Sequence, residues 1–161
     1  MRYESPREQL HKRKHEAHKR ASEFYESKPY RKVDYGRQFV YRSETAAVKT
    51  IPSPEVPFQM SQIKELVNRI FTDERVIKID PFPGEEVIVQ NSCTNGANAR
   101  PFERRLRFGT WKSNYAVYHE VAHILTPGVK HGNEFCRVMC MLIEWFENKQ
   151  SADHMRMYLY V

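Results

Sequence analysis

The segment Tyr118-His119-Glu120-Val121-Ala122-His123 constrains this chain more than any other. Two histidines four residues apart share one face of a helix, so both imidazoles can reach a single metal ion. The glutamate directly after the first histidine then stands beside the open coordination position. From there it can take a proton from a metal-activated water and pass it to a leaving group. The surroundings fit a helix. Val117, Val121, Ile124 and Leu125 recur at helical spacing over 114–125, and Thr126-Pro127-Gly128 stops the pattern. The plain alternative is a helix with two surface histidines.

Zinc bound by two such histidines needs a third protein ligand. His131 follows the Pro127-Gly128 turn, which can return it to the metal, and Gly132 beside it permits an unusual backbone or a close approach. Glu134, one helical turn beyond His131, is the other candidate, though it equally suits the N-terminal turn of a helix. Tyr115, Tyr118, Arg105 and Arg107 lie near the motif in sequence and are candidates to stabilise an oxyanion.

Elsewhere, the pattern predicts a polar helix over 4–27 with a thin apolar stripe of Leu10, Ala17, Ala21 and Phe24, ended by Pro29. Residues 38–48 read as a strand or a short helix. Ile63, Leu66, Val67, Ile70 and Phe71 mark an amphipathic helix over 61–72, with Ser61 as its N-cap. Strands are expected at 76–79, 87–90 and 104–108, with turns across 91–98. A long helix apolar nearly all round is expected over 132–148.

The chain has 161 residues, which suits one domain with its own core. Its net charge of +6 resides in residues 1–42, with 12 Lys or Arg against 6 Asp or Glu; residues 43–161 balance at 14 against 14. The cluster from His11 to Arg20 offers a contact for nucleic acid or another acidic partner, or simply a solvated face. Cys93, Cys136 and Cys140 are odd in number and form no CxxC pair, which argues against a disulfide framework; 136 and 140 read as buried core thiols. No apolar run matches a membrane span or a secretory signal, so a cytoplasmic location is expected.

HEVAHIL, a short turn and then His131-Gly132-Asn133-Glu134-Phe135 resemble the HExxH…HGxxF arrangement of SprT-like zinc proteases. The chain is similar, more closely, to a group of small metallohydrolases of actinobacteria and their phages, in which a segment like Arg37-Gln38-Phe39-Val40-Tyr41-Arg42-Ser43-Glu44 precedes the zinc helix. The resemblance spans roughly residues 35–145 and is sharp at 118–135. It implies a zincin-like fold and Zn²⁺ held by His119, His123 and His131, with Glu120 catalytic. The loop from His123 to His131 is shorter than in most SprT-like proteins, and no zinc-ribbon spacing occurs, so DNA-linked targeting is not implied.

The expectation is thus one α+β, zincin-like domain over 1–161, with 1–27 a basic N-terminal helix. A small mixed sheet packs against the HExxH helix and a C-terminal helix. Cleavage of amide bonds in a peptide or protein is the expected chemistry. The rival is a non-catalytic, zinc-stabilised DNA- or protein-binding module, whose metal site would be closed by four ligands.

Overall fold

The computed structural model describes residues 4–27, 34 and 36–161. Among these the chain is α+β, with seven helices and one three-stranded sheet. In chain order they are α1 (Pro6–Ser27), α2 (Arg37–Val48), α3 (Met60–Phe71), α4 (Glu74–Ile79), β1 (Ile88–Asn91), β2 (Ala97–Arg100), β3 (Arg105–Phe108), α5 (Asn114–Leu125), α6 (Asn133–Phe146) and α7 (Lys149–Leu159). A short 3₁₀ turn, Pro101–Glu103, joins β2 to β3. Pro29 and the side chain of Phe24 lie outside the described residues.

The sheet is mixed. β3 is central, parallel to β1 and antiparallel to β2. Leu106 and Phe108 alternate with Arg105 and Arg107, and both are fully buried. That alternation places an apolar face of the sheet under α5. α5 is the core helix: of its twelve residues only His123 is not buried. Ser113 starts it, its hydroxyl accepting from the Ala116 amide at 3.1 Å. α6 packs on α5, and α7 packs on both α6 and α2.

Several expectations need correction. Residues 76–79 are helix α4, not a strand. Their β-branched residues favour a strand locally, but Asp73 caps a helix by accepting from the Arg75 amide at 2.9 Å. Of the run, Val76 is buried and Ile77 is exposed, and no strand pairs with it. The N-cap of α3 is Gln59 rather than Ser61: Gln62 reaches back to accept from the Gln59 amide at 2.7 Å in a capping box. β2 falls partly in the expected turn over 91–98. Ala-Asn-Ala-Arg has little strand preference, and pairing of Ala97 with Phe108 and Ala99 with Leu106 makes it one. The helix expected over 132–148 ends at Phe146, and the chain restarts as α7. Asn148 caps this helix through the Ser151 amide at 2.8 Å, and Ala152, Met155 and Leu159 bury its inner stripe.

Residues 38–48, left open between strand and helix, form α2, with Val40, Ser43 and Ala47 buried at helical spacing. α1 follows the expected thin attachment: Ala17 is buried, Leu10 is exposed, and Arg13 and Arg20 pair with Glu86 and Glu85. Cys136 and Cys140 are buried free thiols, pushed up to about 11 and about 12 by burial. A buried bidentate pair, Arg104 with Asp80 at 2.6 and 2.8 Å, ties the end of α4 to the start of β3. No helix among the described residues is long and apolar enough to cross a membrane.

Candidate metal centre

Three imidazoles converge where α5 meets the head of α6. His119 and His123 project from one face of α5, as their spacing requires. The turn after Leu125, with Gly128 at φ 79°, brings His131 back, and Gly132 begins α6. Gly132 itself has ordinary extended backbone at φ −81° and ψ −178°. The close approach at this point belongs to Gly36, where a Cβ would stand 2.4 Å from the carbonyl oxygen of His131. One ring nitrogen from each histidine lies within 4.8 Å of the others, so this buried group could hold a metal ion. Glu134 is exposed in the first turn of α6, outside that group.

The rings are held from several sides. Phe135, fully buried, packs against all three at centroid separations of 5.0, 4.4 and 4.9 Å. Tyr41 from α2 stacks on His119 at 5.4 Å and meets the edge of His131 at 5.2 Å. Two carboxylates fix the outer nitrogens. Glu44 lies 2.8 Å from Nδ1 of His119, and Asp34 lies 2.6 Å from Nδ1 of His131. A carboxylate accepts, so the tautomer that donates from each Nδ1 satisfies both pairs.

That tautomer has a consequence at the other side of the rings. Nε2 of His119 and Nε2 of His131 face each other at 3.2 Å. With both Nδ1 atoms protonated, neutral rings would oppose two lone pairs there. Only a proton or a metal cation between them relieves the repulsion. Two nitrogens each about 2.05 Å from a tetrahedral zinc stand about 3.3 Å apart, so the spacing of this pair fits, whereas the three donor nitrogens together spread to 4.8 Å. Nδ1 donation to carboxylates is also the usual support of metal-bound imidazole.

The electrostatics follow from burial and these carboxylates. Burial opposes charge on His119, but Glu44, Glu120 and Asp34 outweigh it and raise its pKa. His123 has no carboxylate partner in this set. Burial, with His119 and His131 beside it, holds its pKa well below the ordinary value. Burial also lowers His131, against the pull of Asp34. Glu120, 6% exposed, is pushed up to about 7, by burial first and by Glu44, while His119 opposes the rise.

Glu120 lines two cavities that meet at the histidines. One, of about 580 Å³, includes His119 and Tyr41 in its wall; the other, of about 450 Å³, includes His123 and Tyr41. The expected oxyanion candidates are otherwise engaged. The Tyr118 hydroxyl donates to Glu147 at 2.7 Å, that of Tyr115 to the Ser53 carbonyl, and Arg105 pairs with Glu103. Arg107 lines neither cavity. The sequence does not assign Tyr41, Glu44 or Asp34 to the site, and it marks Phe135 only through the HGxxF pattern. The spacing 37, 41, 44, 45, 48 along α2 was the available signal: all five line the larger cavity.

No protein-family model, curated protein or solved structure matches the chain.

Proposed function

We propose that the protein is a zinc metallohydrolase of zincin-like fold that cleaves amide bonds in peptides or proteins. The observation that carries the reading is the His119–His131 pair: two Nε2 atoms 3.2 Å apart, each ring fixed by a carboxylate on its Nδ1. His119, His123 and His131 would hold the metal. Zinc, when bound, supplies positive charge that lowers the pKa of a water to about 7 and polarises a carbonyl.

The protein's own groups do the rest. Glu120 accepts a proton from the attacking water as the oxygen–carbon bond forms. It returns that proton to the amide nitrogen as the carbon–nitrogen bond breaks. Burial holds the Glu120 carboxyl above the usual carboxylate range, which favours its keeping the proton between the two transfers. Tyr41, stacked on His119 and half exposed in both cavities, is positioned to donate to the developing oxyanion, with Arg37 beside it.

Three histidine donors with cavities on two sides support an open, catalytic site over one closed by four ligands. The test is digestion of an unstructured peptide mixture by zinc-loaded protein, read by mass spectrometry. Glu120→Gln should keep its zinc and lose at least about 100-fold in rate. A Glu120→Gln variant that loses zinc as fully as His119→Ala would give Glu120 the role of ligand instead of base.

A further inference from the structure

The two cavities that meet at Glu120 differ in character. They share Arg37, Tyr41, Ala97 and Glu120, so each opens onto the proposed reacting centre. The smaller one is edged with polar groups, among them Asp34, Asn98, Thr126 and Lys130. The larger one is walled by Val48, Ala97, Ala116 and the rings of Tyr41, Tyr115 and Trp111.

We infer that the larger cavity is a specificity pocket for a bulky apolar side chain, aromatic by preference, on the substrate residue next to the scissile amide. The inference rests on the amide-hydrolase reading for the identity of the ligand, and on the cavity itself for its chemistry.

Trp111 is the first argument. It is a large apolar side chain left 57% exposed, yet it is not loose: its indole nitrogen donates to Glu55 at 3.1 Å. An indole held at the wall of a cavity gives a rigid face for another ring to cover. The carboxylates are the second argument. Glu44 is engaged by Nδ1 of His119, and Glu55 by Trp111, while Glu120 belongs to the chemistry. Arg37 and Lys49 line the same wall and offset these carboxylates, so its charge does not single out a basic side chain. Size is the third. About 580 Å³ lies in the usual range of ligand pockets, roughly 300–1,000 Å³, and admits a ring together with the main chain that carries it. Removing such a ring from water against apolar walls is favourable in proportion to the area covered, whereas a methyl group covers little.

The test uses the full chain loaded with zinc and three blocked amino acids: N-acetyl-phenylalaninamide, N-acetyl-alaninamide and N-acetyl-lysinamide. Binding is read from the indole N–H signals in nuclear magnetic resonance spectra. There are two tryptophans, and Trp145 lies outside the cavity, so it serves as the internal control. A Trp111→Phe variant assigns the signals. The phenylalanine compound should shift the Trp111 signal at concentrations at least about tenfold lower than the other two. Thr45 lines the cavity from an exposed position on α2, so Thr45→Phe should fill the space without disturbing the core and abolish that preference. Val48→Lys, placing a charge in the wall, should do the same.

Hydrolysis is measured separately on the same peptide mixture. Selective binding of the phenylalanine compound without any hydrolysis supports the pocket and defeats the hydrolase. Cleavage with no enrichment of Phe, Tyr, Trp, Leu or Met on one side of the cut overturns the pocket and leaves the hydrolase standing. Equal response to the three amides overturns the pocket. So does enrichment of acidic residues at the cut, which would assign the cavity to Arg37 and Lys49.

Discussion

Glu44 and Asp34 act on the proposed metal through the rings they hold. Each accepts from an Nδ1, setting the tautomer that leaves Nε2 free for a cation. Glu44→Gln and Asp34→Asn keep the shape and remove the charge. Each should weaken zinc binding about 10–100-fold, in competition with a chelator. His131→Ala should weaken it further, and Glu134→Ala should leave it within a few-fold of the parent; a reversed order would make Glu134 the ligand. The convergence of His119, His123 and His131 was legible because a helix fixes residues four apart on one face and the turn at 127–128 can bring the chain back. Asp34 was not, since its contact spans 97 residues and no local spacing encodes it; Glu44, 75 residues from His119, shows only in the helical spacing of α2. Phe135 illustrates the intermediate case. The HGxxF pattern flagged it, and only the packing of its ring against three imidazoles gives the pattern its physical sense.

At the scale of elements, α2 delivers Tyr41 and Glu44 to the site, and the start of α2 is pressed against the chain at His131. Gly36, its N-cap, has an ordinary φ of −85°, so space rather than backbone freedom requires glycine there. Gly36→Ala would set a methyl group against the His131 carbonyl and force the two segments apart. Zinc affinity should fall about tenfold or more while the far-ultraviolet circular dichroism stays near that of the parent. Unchanged affinity would mean that the close approach does not position the ligand. α1 is the contrasting element. Ala17 is its buried anchor among residues with described side chains, and two ion pairs to Glu85 and Glu86 lie at the surface. Exposed pairs contribute about 0–1 kcal/mol each. Deleting residues 1–27 should therefore lower the melting temperature by no more than a few degrees and leave zinc affinity intact; a truncated protein that fails to fold would make α1 structural. α3 was legible because its single apolar stripe has an unambiguous helical period, and α5, buried nearly all round, because of its histidines four apart and the Thr126-Pro127-Gly128 stop. α4 misled because β-branched residues favour strands locally while the Asp73 cap decides otherwise. β2 was hidden because its strand character comes from β3, not from its own residues.

Across the whole molecule, a core of helices around α5 leaves one helix face open to two cavities, and three histidines, a buried glutamate and a tyrosine meet there. The α+β class followed from helical and alternating periods in the sequence. The arrangement of the cleft did not, because it depends on how α2, Trp111 and β2 assemble around α5. The most direct measurement is the zinc content of protein purified without chelators, by elemental analysis, followed by calorimetric titration of the stripped protein. About one zinc per chain, rebinding with the same stoichiometry and lost in His119→Ala, is the predicted result. Protein that contains no zinc and takes up none after stripping would contradict the account.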